Sequence, residues 1–271
     1  MTVFRPLALA GLLPLVLAAA PPTAGQPQHL KYRVEVYGPA GLHVATTHTE
    51  IDLSGGTYAI KSNIETRGFA GWFVSMNSTA QAKGRLTTDA AQPESFRSDT
   101  ERNGVERHDK VSYATDGAVS GGSTPPSTKD AVKPVAPAQM RGTVDNLTAY
   151  LLVERQLGRG GKCDLTVPVF DGHERYDLKF SDGGQQKLSP KGGQNFAGMT
   201  TVCHMKRVEI AGFPANPEDS EGARSGTLWY ARIVPGELVQ AIRMDMQTEA
   251  GEISAYLAEV TANGAELKLM E

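Results

Sequence analysis

The stretch that decides the fold is Gly161–Phe180, GKCDLTVPVFDGHERYDLKF. Asp171-Gly172 within it is a two-residue turn signal. A type I′ turn needs positive φ at both central positions, which Gly accepts freely and Asp tolerates. With those two residues as the loop, Phe170 faces His173 and the rest of the register follows. Val169 lies opposite Glu174, Val167 opposite Tyr176, Leu165 opposite Leu178 and Cys163 opposite Phe180. That is one nearly continuous apolar face. The other face sets Pro168 against Arg175, Thr166 against Asp177 and Asp164 against Lys179, the last as a cross-strand ion pair. A slip of one residue would set Leu and Tyr against charged groups, so turn chemistry and hydrophobic pattern agree.

The same reading extends upstream. Leu30, Tyr32, Val34 and Val36 alternate with Lys31, Arg33 and Glu35, as in a half-buried strand. Gly38–Gly41 turns the chain into a Thr-rich strand over Leu42–Leu53, and Gly55-Gly56 turns it again into Tyr58–Glu65. Short glycine turns between alternating strands make an antiparallel meander. The GFAGWF run at Gly68–Phe73 reads as a core-packed turn, or as the lining of a pocket. Ser78–Leu86 and Glu94–Thr100 are further strands. Asn103-Gly104 is a hairpin turn with Val105–Tyr113 as its return strand. Gly121–Gln139, with four prolines and almost no large apolar side chain, is expected to be an exposed loop inside one domain.

Val144–Leu157 is the one convincing helix, capped by Asp145, with Leu147, Tyr150, Leu151 and Val153 on its apolar stripe and Gly158, Gly160 and Gly161 ending it. Downstream of the central hairpin, Ser181–Gln194 reads as a polar loop. Strands follow in Phe196–Ile210, Thr227–Ile233, Leu238–Gln247, Ile253–Thr261 and Ala265–Met270. The sum is a mainly β protein: a curved antiparallel sheet, or open half-barrel, of roughly a dozen strands with one helix packed on it.

The N-terminus sets the compartment. Arg5 precedes an apolar run from Leu7 to Ala20, and Ala18–Ala20 offers small residues for a signal peptidase. Residues 1–24 are expected to be a cleaved signal peptide, leaving 25–271 as a single β-rich domain in the periplasm; an uncleaved anchor is the other reading. No Cys lies near the cleavage region, so a lipoprotein is not expected, and no later segment is long and apolar enough to span a bilayer. The net charge of −3, more negative still without Arg5, speaks against nucleic acid as a partner. In an oxidising compartment the two cysteines, Cys163 and Cys203, are expected to form a disulfide. A metal site using Cys163, Cys203 and His204 is the alternative, and it lacks C-x-x-C spacing and a fourth ligand.

There is no G-x-S-x-G, no H-E-x-x-H and no P-loop, so no catalytic residue, resident metal or cofactor is assigned. His173, Glu174 and Asp177 gather near Asp171 and are expected to form a solvated hairpin end. The leading expectation is an envelope protein holding a hydrophobic ligand, a lipid or acyl chain, in an apolar groove. Leu165, Val167, Tyr176, Leu178, Ile242 and Met244 face the interior, either lining that groove or filling the core. A structural module that binds envelope proteins and a hydrolase with a dispersed site are the alternatives.

Several pieces together resemble the exported bacterial family called domain of unknown function 3108. They are Tyr32-x-Val34, Gly142-Thr143-Val144-Asp145 before the helix, Cys163 with Val169–Gly172 and Arg175–Asp177, then Gly198 to Val202-Cys203, and Trp229. The resemblance implies the curved sheet of periplasmic lipoprotein carriers, with a helix against the concave face. It transfers no catalytic residues, and fold alone does not fix function.

Overall fold

The computed structural model describes residues 27–66, 75–88, 90–126, 134–215, 222–248 and 251–271. The expected signal peptide, the GFAGWF run and the middle of the proline-rich segment lie outside them. Fourteen strands form one antiparallel sheet. In chain order they are β1 (Gln28–Tyr37), β2 (His43–Ser54), β3 (Thr57–Thr66), β4 (Met76–Leu86), β5 (Ala91–Arg102), β6 (Val105–Tyr113), β7 (Val119–Thr124), β8 (Leu165–Phe170), β9 (Arg175–Leu188), β10 (Gly198–Ala211), β11 (Ser225–Ala231), β12 (Gln240–Thr248), β13 (Gly251–Ala262) and β14 (Ala265–Lys268). A four-residue helix, α1 (Pro137–Met140), precedes the main helix α2 (Asn146–Gly158).

The sheet order is β7-β6-β5-β4-β3-β2-β1-β13-β12-β11-β10-β9-β8, with β14 added on β13. The sheet is therefore two successive meanders, β1–β7 and β8–β13, sewn together where β1 pairs with β13. It is open, since β7 and β8 end the order and do not pair with each other. At the β8 edge, Val144 takes the place of a further strand: its N–H donates to Pro168 O, and Phe170 N–H donates to Val144 O. Pro168, with no N–H to give, suits an edge position.

Helix α2 fills the concavity. The Asp145 carboxylate accepts from the N–H and the hydroxyl of Thr148 at 2.8 and 2.7 Å, which fixes the start of the helix. Leu151 packs into a cluster that takes in Ile51, Tyr58, Phe96 and Val111 of the first meander and Trp229, Ile242 and Leu257 of the second. Ala149, Val153 and Leu157 pack on the other side with Val167, Val169, Leu178 and Leu228. At its C-terminal end Arg155 and Arg159 both donate to Glu237 Oε1, and Arg155 also donates to the carbonyls of Thr87 and Ala90. One helix thus ties the two meanders together. Cys163 and Cys203 form a disulfide, with Cα atoms 5.7 Å apart, that fastens the segment before β8 to β10.

Three expectations are corrected. The β8–β9 register is shifted by two residues: Phe170 faces Arg175, Val169 faces Tyr176, Val167 faces Leu178 and Leu165 faces Phe180. Asp171 does not adopt positive φ; its Oδ1 instead accepts from the N–H groups of His173 and Glu174 at 3.2 and 2.8 Å. That side-chain turn lengthens the loop to Asp171–Glu174. A shift of two preserves which face each side chain occupies, so the apolar face survives. The Asp164–Lys179 pair does not: Lys179 faces Thr166, and Asp164 accepts from Asp182 N.

The proline-rich segment contributes an edge strand, β7, where a loop was expected. The strand depends on Gly121, because a Cβ there would lie 2.2 Å from Lys110 O on β6. The expected loop after residue 180 is the continuation of β9 to Leu188, paired through a bulge with β10. That strand has polar residues on both faces, which hides it from a search for alternation.

Candidate functional site

The strands β3–β6 are paired so that their inward side chains fall into rows. The deepest row is apolar: Ile60, Ala82, Phe96 and Val111. The next row holds Ser62, Ala80, Ser98 and Asp109, and the row beyond it Ile64, Ser78, Thr100 and Arg107. The hydroxyls bond along and across these rows: Ser78 to Thr100 at 2.8 Å and Ser98 to Thr100 at 3.4 Å. Along β6 the same face runs Val105, Arg107, Asp109, Val111, exposed at the first and buried at the last.

The β8–β9 loop closes over this surface. Gly172, at φ 112°, approaches Asp109 so closely that a Cβ would meet the Asp109 Cβ at 3.0 Å. The approach brings His173 inward, and the site comes from chain segments more than sixty residues apart. His173 Nδ1 lies 3.2 Å from Asp171 Oδ1 and 3.5 Å from Asp109 Oδ1, yet makes no hydrogen bond with either. Its Nε2 lies 3.8 Å from Glu174 Oε1. Glu174 in turn lies 3.7 Å from Arg207 Nη1, and Arg207 stacks over the Tyr176 and Phe213 rings. Ser123 on β7 donates to Asp109 Oδ1, and Arg107 Nε stays 3.4 Å from Asp109 Oδ2. The hairpin end is thus half-buried rather than solvated. Asp177 is not part of it, being held by Arg175 Nη1 at 2.7 Å.

The groups are tuned against one another. Burial works against the Asp109 charge, but His173, Ser123 and Arg107 outweigh it and hold its carboxyl below the usual range. Burial likewise works against charging His173, and the Asp109 and Asp171 carboxylates overcome it, so its pKa is raised. Burial first, then Asp171, push Glu174 up to about 7, against the pull of His173 and Arg207. Asp171, His173 and Glu174 could each turn one donor atom toward a common cation. The positive charge they face is already supplied by Arg207 on Glu174 and by Arg107 on Asp109, so the cluster is an ion-pair network complete in itself.

Between the rows and the loop lies a cavity of about 520 Å³, within the usual range for small-molecule sites. Its apolar lining is Ile64, Met76, Phe96 and Val105; its polar lining includes Ser98, Thr100, Arg107, Asp109, His173 and Asn146, the first residue of α2. A second cavity, about 450 Å³, lies where β5–β7 meet Gly142–Val144, with Tyr113 on its wall.

None of the six interior residues named from sequence lines either cavity. Val167, Tyr176 and Leu178 are buried in the cluster under α2, with Leu165 and Met244 packed against it, and Ile242 is buried in the other cluster. The cavity is lined instead from β3–β6, the start of α2 and the β8–β9 loop. The Asn103-Gly104 turn fixes Arg102 opposite Val105, and counting back from it sets Thr100 against Arg107 and Ser98 against Asp109. That signal was available. The approach of His173 to Asp109 was not, because it depends on how two distant hairpins meet.

No helix among the described residues is long and apolar enough to cross a membrane. No curated protein matches the chain. Among solved structures, the chain is similar to the crystal structure of a beta-barrel-like protein of domain of unknown function DUF1849 from Brucella abortus. The two are 11% identical with a TM-score of 0.48, over 88% of this chain and 98% of that one. The family described as Protein of unknown function (DUF3108) matches residues 31–258.

Proposed function

The chain belongs to the DUF3108 family, and from that premise we propose that it is an exported envelope protein whose open half-barrel holds a hydrophobic ligand with a polar end. The observation that carries the reading is the 520 Å³ cavity, lined by both apolar and hydrogen-bonding side chains. Export is supported by the Arg5 and Leu7–Ala20 pattern and by the buried disulfide, a bond characteristic of oxidising compartments. The residues of the hairpin's apolar face pack against α2 and do not line the cavity.

Native mass spectrometry of the protein purified from its own envelope fraction tests this. A bound lipid or other amphiphile of defined mass is expected. Ligand-free protein in that preparation, together with no binding of a fluorescent fatty acid, overturns it. A second reading, a module that assembles with envelope proteins, is favoured by the outer edge of β7, beyond which no strand lies among the described residues. Crosslinking in cells that traps a protein neighbour and no lipid would select it.

A further inference from the structure

We infer that the cavity beside His173 takes one unbranched alkyl or acyl chain of about sixteen carbons and no second one, which makes its ligands single-chain amphiphiles. This rests on the binding reading above and goes further by fixing the number and length of the chains.

The slot is blind, and it tapers. Its mouth lies at the ends of β4, β5 and β6, where Met76, Arg102, Asn103 and Val105 line it and Val105 is 66% exposed. Farther in, Ile64, Ser78, Thr100 and Arg107 contribute from β3, β4, β5 and β6. Of the deepest row Phe96 lines the slot, and Ile60, Ala82 and Val111 do not. Phe96 is 2% exposed and belongs to the same packed cluster as Tyr58, Val111 and Leu151, so it forms the floor. From Phe96 to Arg102 the strand advances about 20 Å, at ~3.3 Å per residue. An extended hydrocarbon advances ~1.25 Å per carbon, so that depth takes about sixteen. Volume is an independent measure. A methylene fills ~30 Å³, the share of one water molecule in the liquid, so 520 Å³ holds about seventeen. Depth and volume agree for one chain, and two chains of that length need about twice the space. The polar part of the wall is engaged with itself. Ser78 and Ser98 are hydrogen-bonded to Thr100, Asp109 accepts from Ser123, Asp171 accepts from two backbone N–H groups, and Arg107 and His173 lie against those carboxylates. Polar groups already paired among themselves cost little to cover with methylenes. Recognition is left to bore and depth, with the head of the ligand at the mouth.

The test uses the full chain as purified after export and monoacyl phosphocholines with saturated chains of eight to twenty carbons, read by displacement of a fluorescent fatty acid below the micelle threshold. Affinity is expected to rise about fourfold per added methylene and to level off near sixteen carbons. Dioctanoyl phosphocholine, with the same chain carbons split over two chains, is expected to bind about tenfold or more weakly than the hexadecanoyl form. Ser98→Leu sets a branched side chain two residues above the floor and is expected to bring the plateau in by about five carbons. Far-UV circular dichroism and melting check that this variant stays folded, and the parent series decides by itself if it does not. A rise that continues past eighteen carbons, affinity indifferent to length, equal binding of the two-chain lipid, or a folded Ser98→Leu with an unmoved plateau overturns the one-chain assignment and leaves the broader reading intact. So does a fluorescent acid that binds and that no phosphocholine displaces. Failure of the fluorescent acid and of every lipid to bind overturns both.

Discussion

Glu154 is a carboxylate on the buried side of α2, 9% exposed, whose Oε2 has no hydrogen-bond partner. The Tyr32 hydroxyl is likewise unpartnered; burial first, then the Glu154 charge, raise its pKa. Desolvation pushes Glu154 up to about 8. At neutral pH the folded protein therefore holds this group protonated, whereas an unfolded chain ionises it near 4.5. The folded state binds the extra proton between those two values, so stability falls as pH rises from about 4.5 to about 8 and levels off above. Glu154→Gln keeps the shape without the charge. Its urea midpoint is expected to fall less from pH 5 to pH 8 than the parent's, the remaining fall coming from Glu174, and to leave it more stable than the parent by a few kcal/mol at the upper end. Tyr58 is a smaller case. Its hydroxyl lies 2.8 Å from Thr148 Oγ1, which itself donates to Asp145. Tyr58→Phe removes one donor from a buried chain and is expected to cost about 1 kcal/mol by chemical denaturation.

The turns show what sequence can and cannot specify at the next scale. Gly55-Gly56, Asn103-Gly104 and Asn263-Gly264 all adopt positive φ at both positions and close two-residue hairpins, as their composition dictates. Asp171-Gly172 carries the same signature and does not, because the Asp171 carboxylate finds two local N–H donors and the tip must also meet Asp109. Strand faces were legible because alternation survives a shift of two. The loop length was not, and the cluster around His173 follows from it. The disulfide is an element-scale device, closing a separation of 40 residues between the approach to β8 and β10. Replacing both Cys163 and Cys203 by Ser is expected to lower unfolding free energy by about 4 kcal/mol on the chain-entropy account, measured by urea titration. Both residues are buried, so dithiothreitol is expected to reduce the native protein only as fast as it opens.

At the scale of the molecule, the open sheet behaves as one body if α2 and the β1–β13 seam couple its two meanders. With Trp72 replaced by Phe, Trp229 on β11 becomes the sole tryptophan and reports from the core that both meanders share. Its fluorescence transition in urea is expected to coincide with loss of far-UV circular dichroism over the whole sheet. Separate transitions would mean that the seam is weak. The same seam has a consequence for the order in which the chain is written. Asn263 and His29 exchange hydrogen bonds, so the beginning of β1 and the end of β13 are neighbours. A circular permutant that joins the two ends through a short linker and opens within residues 127–133 would place β8–β13 before β1–β7. Every ladder would then lie between consecutive strands except the β13–β1 seam, where the short β14 intervenes. Such a rearrangement keeps each contact while shortening the loops that must close, and its relative contact order falls. The permutant is expected to refold faster than the parent in stopped-flow measurements, at similar stability.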